Sequence, residues 1–150
     1  MRLVLDTSVL VGELLRATGR QRLGDDRLDL FLAEHMWNET TVEIPRRIRA
    51  FTRGRELEPA IVDRLIDMAI AAVDANLTVL DEAVYAAAED EARARCQRDP
   101  ADWPAVACAL LLNAGIWTND NDFLGTGVPT WTTATLQAWL DRQPPTEHDR

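Results

Sequence analysis

Short apolar segments typical of β-strands alternate with helical patterns along the whole chain. The first such segment, residues 2–11 (RLVLDTSVLV), passes from a strand-like run directly into a helical one at Asp6. Strands that alternate with helices form parallel sheets with helices on both faces. We therefore expect an α/β fold, built as a three-layer α/β/α sandwich on a mostly parallel sheet of four or five strands.

The apolar pattern also predicts the order of the elements. Strands are predicted at residues 4–6, 28–33, 77–80, 116–118 and 128–132. Helices are predicted at residues 7–19, 35–52, 57–75, 82–97, 102–114 and 134–140. Pro45 is expected to kink the second helix or to divide it, whereas Gly19 and Gly115 are expected to end helices.

Length and composition predict one folded domain. The chain has 150 residues, of which 47% are hydrophobic and 27% charged, as in ordinary globular proteins. We expect a single domain over residues 1–142 and a flexible polar tail over residues 143–150 (QPPTEHDR). No apolar run approaches the roughly 18 residues of a membrane span, and no signal peptide is recognisable. A cytoplasmic protein without membrane contact is expected.

Carboxylates follow several of the predicted strands. Because the carboxyl ends of parallel strands meet at one edge of a sheet, we expect these carboxylates to lie together. They are Asp6, Glu39, Glu43, Asp102, Asp120 and Asp122. Clustered acids without a neighbouring lysine repel one another unless a cation neutralises them, and oxygen ligands suit Mg²⁺ or Mn²⁺.

Each carboxylate also has a purely structural explanation. Asp6 and Asp102 precede predicted helices, where aspartate is a common cap, and residues 119–122 are typical of a turn. Glu39 and Glu43 lie on one helix face that is able to pair with Arg46 or Arg47. The expected position of all these carboxylates at one sheet edge favours a metal site, because independent caps and turns have no reason to lie together there.

Missing side chains argue against other mechanisms. The chain has two histidines, His35 and His148, and no lysine. It therefore lacks the parts of a histidine-based zinc site or a Ser-His-Asp triad. Receiver domains need a lysine near the site, and phosphatases of the haloacid dehalogenase type need an aspartate where this chain has Ser8.

The net charge of −9 opposes nucleic-acid binding, but the basic residues are unevenly distributed. All 16 are arginines, and five fall within ten residues: Arg46, Arg47, Arg49, Arg53 and Arg55. Guanidinium groups bind phosphate bidentately, so this cluster is a candidate phosphate-contacting surface. The alternative is an exposed helix face that pairs with nearby acids.

Four segments resemble the PIN-domain ribonucleases, especially the small bacterial toxins of VapC type. They are LVLDTSVL at residues 3–10, WNETTVEI at 37–44, DPADWPAVACAL at 99–110 and IWTNDNDF at 116–123. The resemblance extends over residues 2–140. It implies four acidic residues around one or two divalent cations, Mg²⁺ or Mn²⁺, at the edge of a parallel sheet.

Carried onto this chain, the resemblance implies that Asp6, Glu39, Asp102 and Asp120 are catalytic. Asp6, Asp102 and Asp120 are the expected metal ligands. Glu43, one helical turn after Glu39, remains an alternative for the second acid. Supporting roles are expected for Thr7, Ser8, Glu43, Asp99, Thr118 and Asp122.

The activity that the resemblance implies is metal-dependent hydrolysis of RNA by the toxin of a type II toxin–antitoxin system. Its partners are then the RNA substrate, a small antitoxin and a second copy of the chain in a homodimer. A PIN-like binding or regulatory module without turnover is one alternative, which the complete set of four acids argues against. A housekeeping nuclease acting on DNA or structured nucleic acid is another.

Overall fold

The centre of the fold is a parallel sheet. A computed structural model of the chain describes residues 1–55 and 57–143, within which five strands are ordered β3-β2-β1-β4-β5. The strands are β1 (Arg2–Leu5), β2 (Asp29–Ala33), β3 (Leu77–Leu80), β4 (Gly115–Trp117) and β5 (Thr130–Trp131). All neighbouring strands pair in parallel. The predicted α/β fold is confirmed.

Helices cover the sheet on two faces. They are α1 (Thr7–Leu14), α2 (Ala17–Leu23), α3 (Glu34–Thr52), α4 (Pro59–Asn76), α5 (Glu82–Tyr85), α6 (Glu89–Arg95), α7 (Trp103–Leu112) and α8 (Thr133–Leu140). The chain steps from β1 to β2 to β3 through α1–α4 and then returns to β4 through α5–α7. Because such crossovers are right-handed, the reversal places α5–α7 opposite α1–α4. Accordingly, α7 packs on β1, β2 and β4, and α3 packs on α1 and α4.

The strand order reverses between β1 and β4. β1 is central, and its residues Leu3, Val4 and Leu5 are completely buried. Ligands of open α/β sheets bind at the carboxyl ends of strands where the order reverses. The residues that follow β1 and β4 therefore flank the preferred ligand position of this fold.

The predicted helix over residues 7–19 is wrong, because it is divided into α1 and α2. Arg16 between them is extended, with φ −116° and ψ 140°, and Arg20 Nη1 donates to the Leu14 carbonyl oxygen at 2.8 Å. Gly19 lies inside α2 rather than at a helix end, where a Cβ atom would overlap with the main chain of Glu13. Gly19 thus permits α1 and α2 to approach closely.

Other boundaries also differ from the prediction. The expected helix over residues 82–97 is divided into α5, a 3₁₀ segment at Ala86–Ala88 and α6. Pro45 lies inside α3 and does not divide it. Helix α7 ends at Asn113 with φ 48°, so Gly115 instead begins β4, where it packs against Leu3 and Trp131. The predicted flexible tail, residues 143–150, lies outside the described residues except for Gln143.

Membrane crossing requires a long apolar helix. Among the helices in the described parts of the chain, none combines the necessary length with sufficient hydropathy.

Candidate metal centre

Asp6 is held between β1 and α1 by two hydroxyl groups. Its Oδ2 accepts hydrogen bonds from Ser8 Oγ at 2.7 Å and from Thr118 Oγ1 at 3.0 Å. The carboxylate does not cap α1, so the structural explanation offered by the sequence is wrong for Asp6. Both bonds use the same oxygen. Its Oδ1 has no hydrogen-bond donor among the described residues and remains available to a ligand.

Thr118 joins the ends of the two central strands. It follows β4 directly and is only 2% exposed. While its hydroxyl donates to Asp6, the same oxygen accepts the Asp120 N–H at 2.9 Å. The Asp6 N–H in turn donates to the Trp117 carbonyl oxygen at 3.1 Å. These hydrogen bonds consequently fix the position of Asp6 relative to that of Asp120, at the point where the strand order reverses.

Asp120 also shapes its own turn. Its Oδ1 accepts the Asp122 N–H at 2.9 Å and caps the 3₁₀ segment Asn121–Phe123. The turn expected from the sequence is therefore present. Because Asp120 is exposed and the cap uses only one carboxylate oxygen, the turn is compatible with a second role for this side chain.

Two arginines outside the predicted site hold this loop. Arg98 Nη1 donates to the Asn121 carbonyl oxygen, and Arg95 Nη1 donates to the Thr126 carbonyl oxygen, both at 3.1 Å. The partners are separated by 23 and 31 residues in the chain. Because these contacts depend on tertiary structure, no local sequence pattern predicts them.

Asp102 precedes α7 without capping it, so the cap explanation is wrong here too. Asp99 instead caps the preceding 3₁₀ segment, Pro100–Asp102, because its Oδ1 accepts the Ala101 N–H at 2.9 Å. The next residue, Trp103, is 8% exposed and packs against the Tyr85 ring, with 5.6 Å between ring centroids. This packing anchors the start of α7 and leaves the Asp102 carboxylate free of the helix.

The pKa of Asp102 shows that the acids lie close enough to act on one another. Burial raises this pKa from 3.8 to about 7, and four neighbouring carboxylates contribute to the rise. In decreasing order of effect, they are Asp99, Asp6, Asp120 and Asp122. Five of the predicted site residues are thus brought together from three parts of the chain.

The two candidate glutamates on α3 differ from each other. The Glu43 carboxylate is 2.8 Å from Arg46 Nη1 and 3.7 Å from Arg47 Nε, so the predicted pairing with these arginines is present. The Glu39 side chain is 56% exposed and lies 3.7 Å from His35 Nε2. Neither glutamate is among the charges that chiefly raise the pKa of Asp102.

The donor chemistry at this edge fits a hard divalent cation. Carboxylate oxygens dominate it, and Thr7 Oγ1, beside Asp6, is buried without a hydrogen-bond partner among the described residues. Within residues 1–55 and 57–143, however, no three acidic, histidine or cysteine side chains already lie close enough to hold one ion. Mutual repulsion keeps carboxylates apart until a cation neutralises them. The donor atoms therefore suit Mg²⁺ or Mn²⁺, but the carboxylate side chains must move closer together to hold one ion.

Comparison with known proteins agrees with the fold. The family model of the PIN domain matches residues 4–141, a span that includes all five strands except the first residues of β1. A search of curated proteins finds no significant match. PIN domains are typically nucleases that use divalent metal ions. Since the match covers most of its length, the chain belongs to the PIN-domain family.

Proposed function

We propose that the protein is a divalent-metal-dependent endoribonuclease and the toxin of a type II toxin–antitoxin system. The observation that carries the proposal is the convergence of Asp6, Asp102 and Asp120 at the reversal of strand order, which is reflected in the raised pKa of Asp102. The absence of lysine and the lack of a histidine cluster leave metal-assisted hydrolysis as the chemistry best supported.

In this proposal Asp6, Asp102 and Asp120 are ligands of one or two ions of Mg²⁺ or Mn²⁺. A bound divalent cation lowers the pKa of a water molecule for in-line attack and offsets charge on the leaving oxygen. Ser8 and Thr118 orient Asp6 through its Oδ2. Asp102 would hold the ion in its deprotonated form, because metal ligands must be deprotonated.

The remaining acids and hydroxyls are assigned lesser roles. Thr7 offers a buried hydroxyl beside Asp6, which supports its binding of an ion or a water molecule. Asp122 and Asp99 add negative charge close to Asp102, and this charge strengthens the attraction for a cation. We assign all three as supporting groups rather than ligands.

Glu39 is the proposed second catalytic acid, in preference to Glu43. Two arginines already neutralise Glu43, whereas Glu39 is exposed on the second turn of α3, close to the carboxyl end of β2. A glutamate in that position can orient the attacking water or accept its proton.

Paired substitutions test this choice. We expect Glu39→Gln to lower the rate of RNA cleavage by at least about 100-fold, as loss of a general base does, and Glu43→Gln to leave it nearly unchanged. The measurement is the single-turnover rate at saturating Mn²⁺. The reverse order of rates would assign the role to Glu43.

A small antitoxin and a second copy of the chain are the proposed protein partners. Their support is an exposed apolar surface around Phe51, Ile61, Leu65 and Met68, because exposed apolar groups mark interaction sites. Co-purification with the product of an adjacent short reading frame, followed by size determination, tests both. If the protein is a monomer and does not bind that product, the antitoxin and homodimer proposals are wrong, and the housekeeping nuclease is favoured.

The activity itself is tested by incubating the purified protein with a panel of RNAs and DNAs in Mg²⁺, Mn²⁺ or chelator and mapping the cuts. We expect internal cleavage of RNA with either cation and none with chelator. Cleavage of DNA alone would favour the housekeeping alternative. Binding without cleavage under any ion would favour the module without turnover.

A further inference from the structure

The face of α3 that carries Glu39 continues into arginines. Positions 39, 43, 46, 50 and 53 follow the spacing i, i+4, i+7, i+11 and i+14, which places them along one side of a helix. The core of α3 is formed by a different stripe: Met36, Thr40, Ile44, Ile48 and Thr52. The acidic start and the basic end of this face are therefore parts of one solvent-facing surface.

The basic part of this face is a groove. Its lining consists of Glu43, Arg46, Arg47, Arg49, Ala50 and Arg53, and we call it the arginine groove. The side chains of Arg46, Arg47 and Arg49 are 72%, 60% and 62% exposed. These guanidinium groups are therefore accessible to a ligand in solution.

Nearby acids neutralise the arginine groove incompletely. Glu43 serves both Arg46 and Arg47, while Arg49 is 3.9 Å from Asp63 of α4. Among the described residues Arg53 has no acidic partner within ion-pair distance. Exposed pairs of this kind contribute little stability and exchange readily. A local excess of positive charge consequently remains on a chain whose net charge is −9.

We propose that the arginine groove binds the backbone phosphates of single-stranded RNA that extends away from the metal centre. This inference rests on the proposed nuclease function and adds a second contact region to it. With a rise of about 1.5 Å per residue, Arg46 and Arg53 lie about 10 and 21 Å along α3 from Glu39. The groove therefore contacts phosphates remote from the bond that is cut and contributes to substrate affinity rather than to the chemical step.

Binding measured without metal tests the arginine groove separately from catalysis. The probes are labelled single-stranded RNAs of about 4 and about 16 nucleotides, which bracket common site sizes, in the presence of chelator. The test variant replaces Arg46, Arg49 and Arg53 with glutamine. The matched control replaces three exposed arginines outside the groove, Arg2, Arg16 and Arg142, and so has the same net charge.

We expect the wild type and the control to bind the longer RNA more tightly than the shorter one. The groove variant should lose at least about 10-fold in affinity for the longer RNA, and the slope of log K against log salt should decrease by about 2, as expected for three lost phosphate contacts. A variant with lysine at the same three positions should retain most of the binding, which separates loss of charge from loss of fold.

Equal binding of the longer RNA by the groove variant and the control would overturn the inference. So would a poly-glutamate peptide that binds the wild type as tightly as the RNA, since the groove would then suit an acidic protein segment. Because no metal is present, failure of the nuclease proposal appears only in the cleavage assay. If the inference is correct, the groove variant raises KM for long RNA and leaves kcat nearly unchanged.

Discussion

At the residue scale, the geometry of the candidate centre depends most on Thr118. One buried hydroxyl donates to the Asp6 carboxylate and accepts the N–H of Asp120. Replacing a residue that orients metal ligands typically lowers metal affinity or activity by about 10- to 100-fold. Thr118 is therefore the position at which a small chemical change has the largest expected effect on the arrangement.

Replacing this hydroxyl with a methyl group tests its positioning role. We expect Thr118→Val to weaken Mn²⁺ binding and to slow cleavage by about 10- to 100-fold, because Asp6 loses a donor and Asp120 loses its acceptor. Thr118→Ser keeps the hydroxyl and should restore most of both properties. Calorimetric titration with Mn²⁺ provides the measurement. Unchanged affinity in the valine variant would show that the two strand ends are held by other means.

A second prediction at this scale concerns Asp102 and pH. Burial and the neighbouring carboxylates raise the pKa of Asp102 to about 7 in the folded protein, whereas an unfolded aspartate titrates near 3.9. The folded state therefore binds the proton more tightly. The stabilisation that this provides is complete at low pH and is lost as the pH rises from about 4 to about 7.

Thermal unfolding in chelator measures this effect. We expect the Asp102→Asn variant to be more stable than the wild type at pH 8 without metal, because a partly buried charge is removed, and to gain no stability from Mn²⁺. Asp67→Asn, which removes an exposed carboxylate from α4, should behave as the wild type. If the metal-free wild type unfolded at a higher temperature than Asp102→Asn at pH 8, the result would contradict the raised pKa of Asp102.

At the scale of elements, the crossing of α1 and α2 depends on Gly19. A Cβ atom there would overlap with the Glu13 main chain, whereas one at Gly12 in α1 would meet nothing within 4 Å. We expect Gly19→Ala to destabilise the fold by at least about 3 kcal/mol. The matched change Gly12→Ala should stabilise it by about 0.5 to 1 kcal/mol.

Denaturant unfolding of the two glycine variants gives these free energies. If Gly19→Ala stabilised the fold as Gly12→Ala is expected to do, helix propensity rather than close approach would govern Gly19.

The elements illustrate what local sequence can and cannot predict. Apolar runs predicted all five strands and α3, α4, α7 and α8 to within a few residues, because burial repeats with the period of each element. The breaks at Arg16 and near Ala86 were missed. Helical periodicity continues through both places, and only packing against the rest of the molecule determines that the helix stops there.

The candidate centre, too, could be predicted from the sequence only in part. Asp6, Asp102 and Asp120 could be predicted together because each stands at an element boundary on one edge of a parallel sheet. The loop contacts of Arg95 and Arg98 could not, since they join distant parts of the chain. The sequence leaves the choice between Glu39 and Glu43 open, because both positions share a helix face that is able to pair with the arginines. The structure distinguishes them, since Glu43 lies beside two arginines and Glu39 lies beside His35.

At the scale of the whole molecule, charge is separated rather than balanced. Acids gather where the strand order reverses, and arginines line the far part of α3, on a chain with a net charge of −9. An acidic centre repels RNA until cations neutralise it. Metal binding and substrate binding are therefore expected to be coupled, with the arginine groove supplying attraction that the metal-free centre lacks.

One measurement tests most directly whether the converging acids form a catalytic metal centre. It is the rate of RNA cleavage as a function of Mn²⁺ concentration, compared between the wild type, Asp6→Asn and Asp67→Asn. We expect saturable dependence on Mn²⁺ for the wild type and for Asp67→Asn, and a loss of more than about 100-fold for Asp6→Asn, since a ligand should matter more than the residues that orient it. Cleavage by Asp6→Asn at the wild-type rate would contradict the assignment.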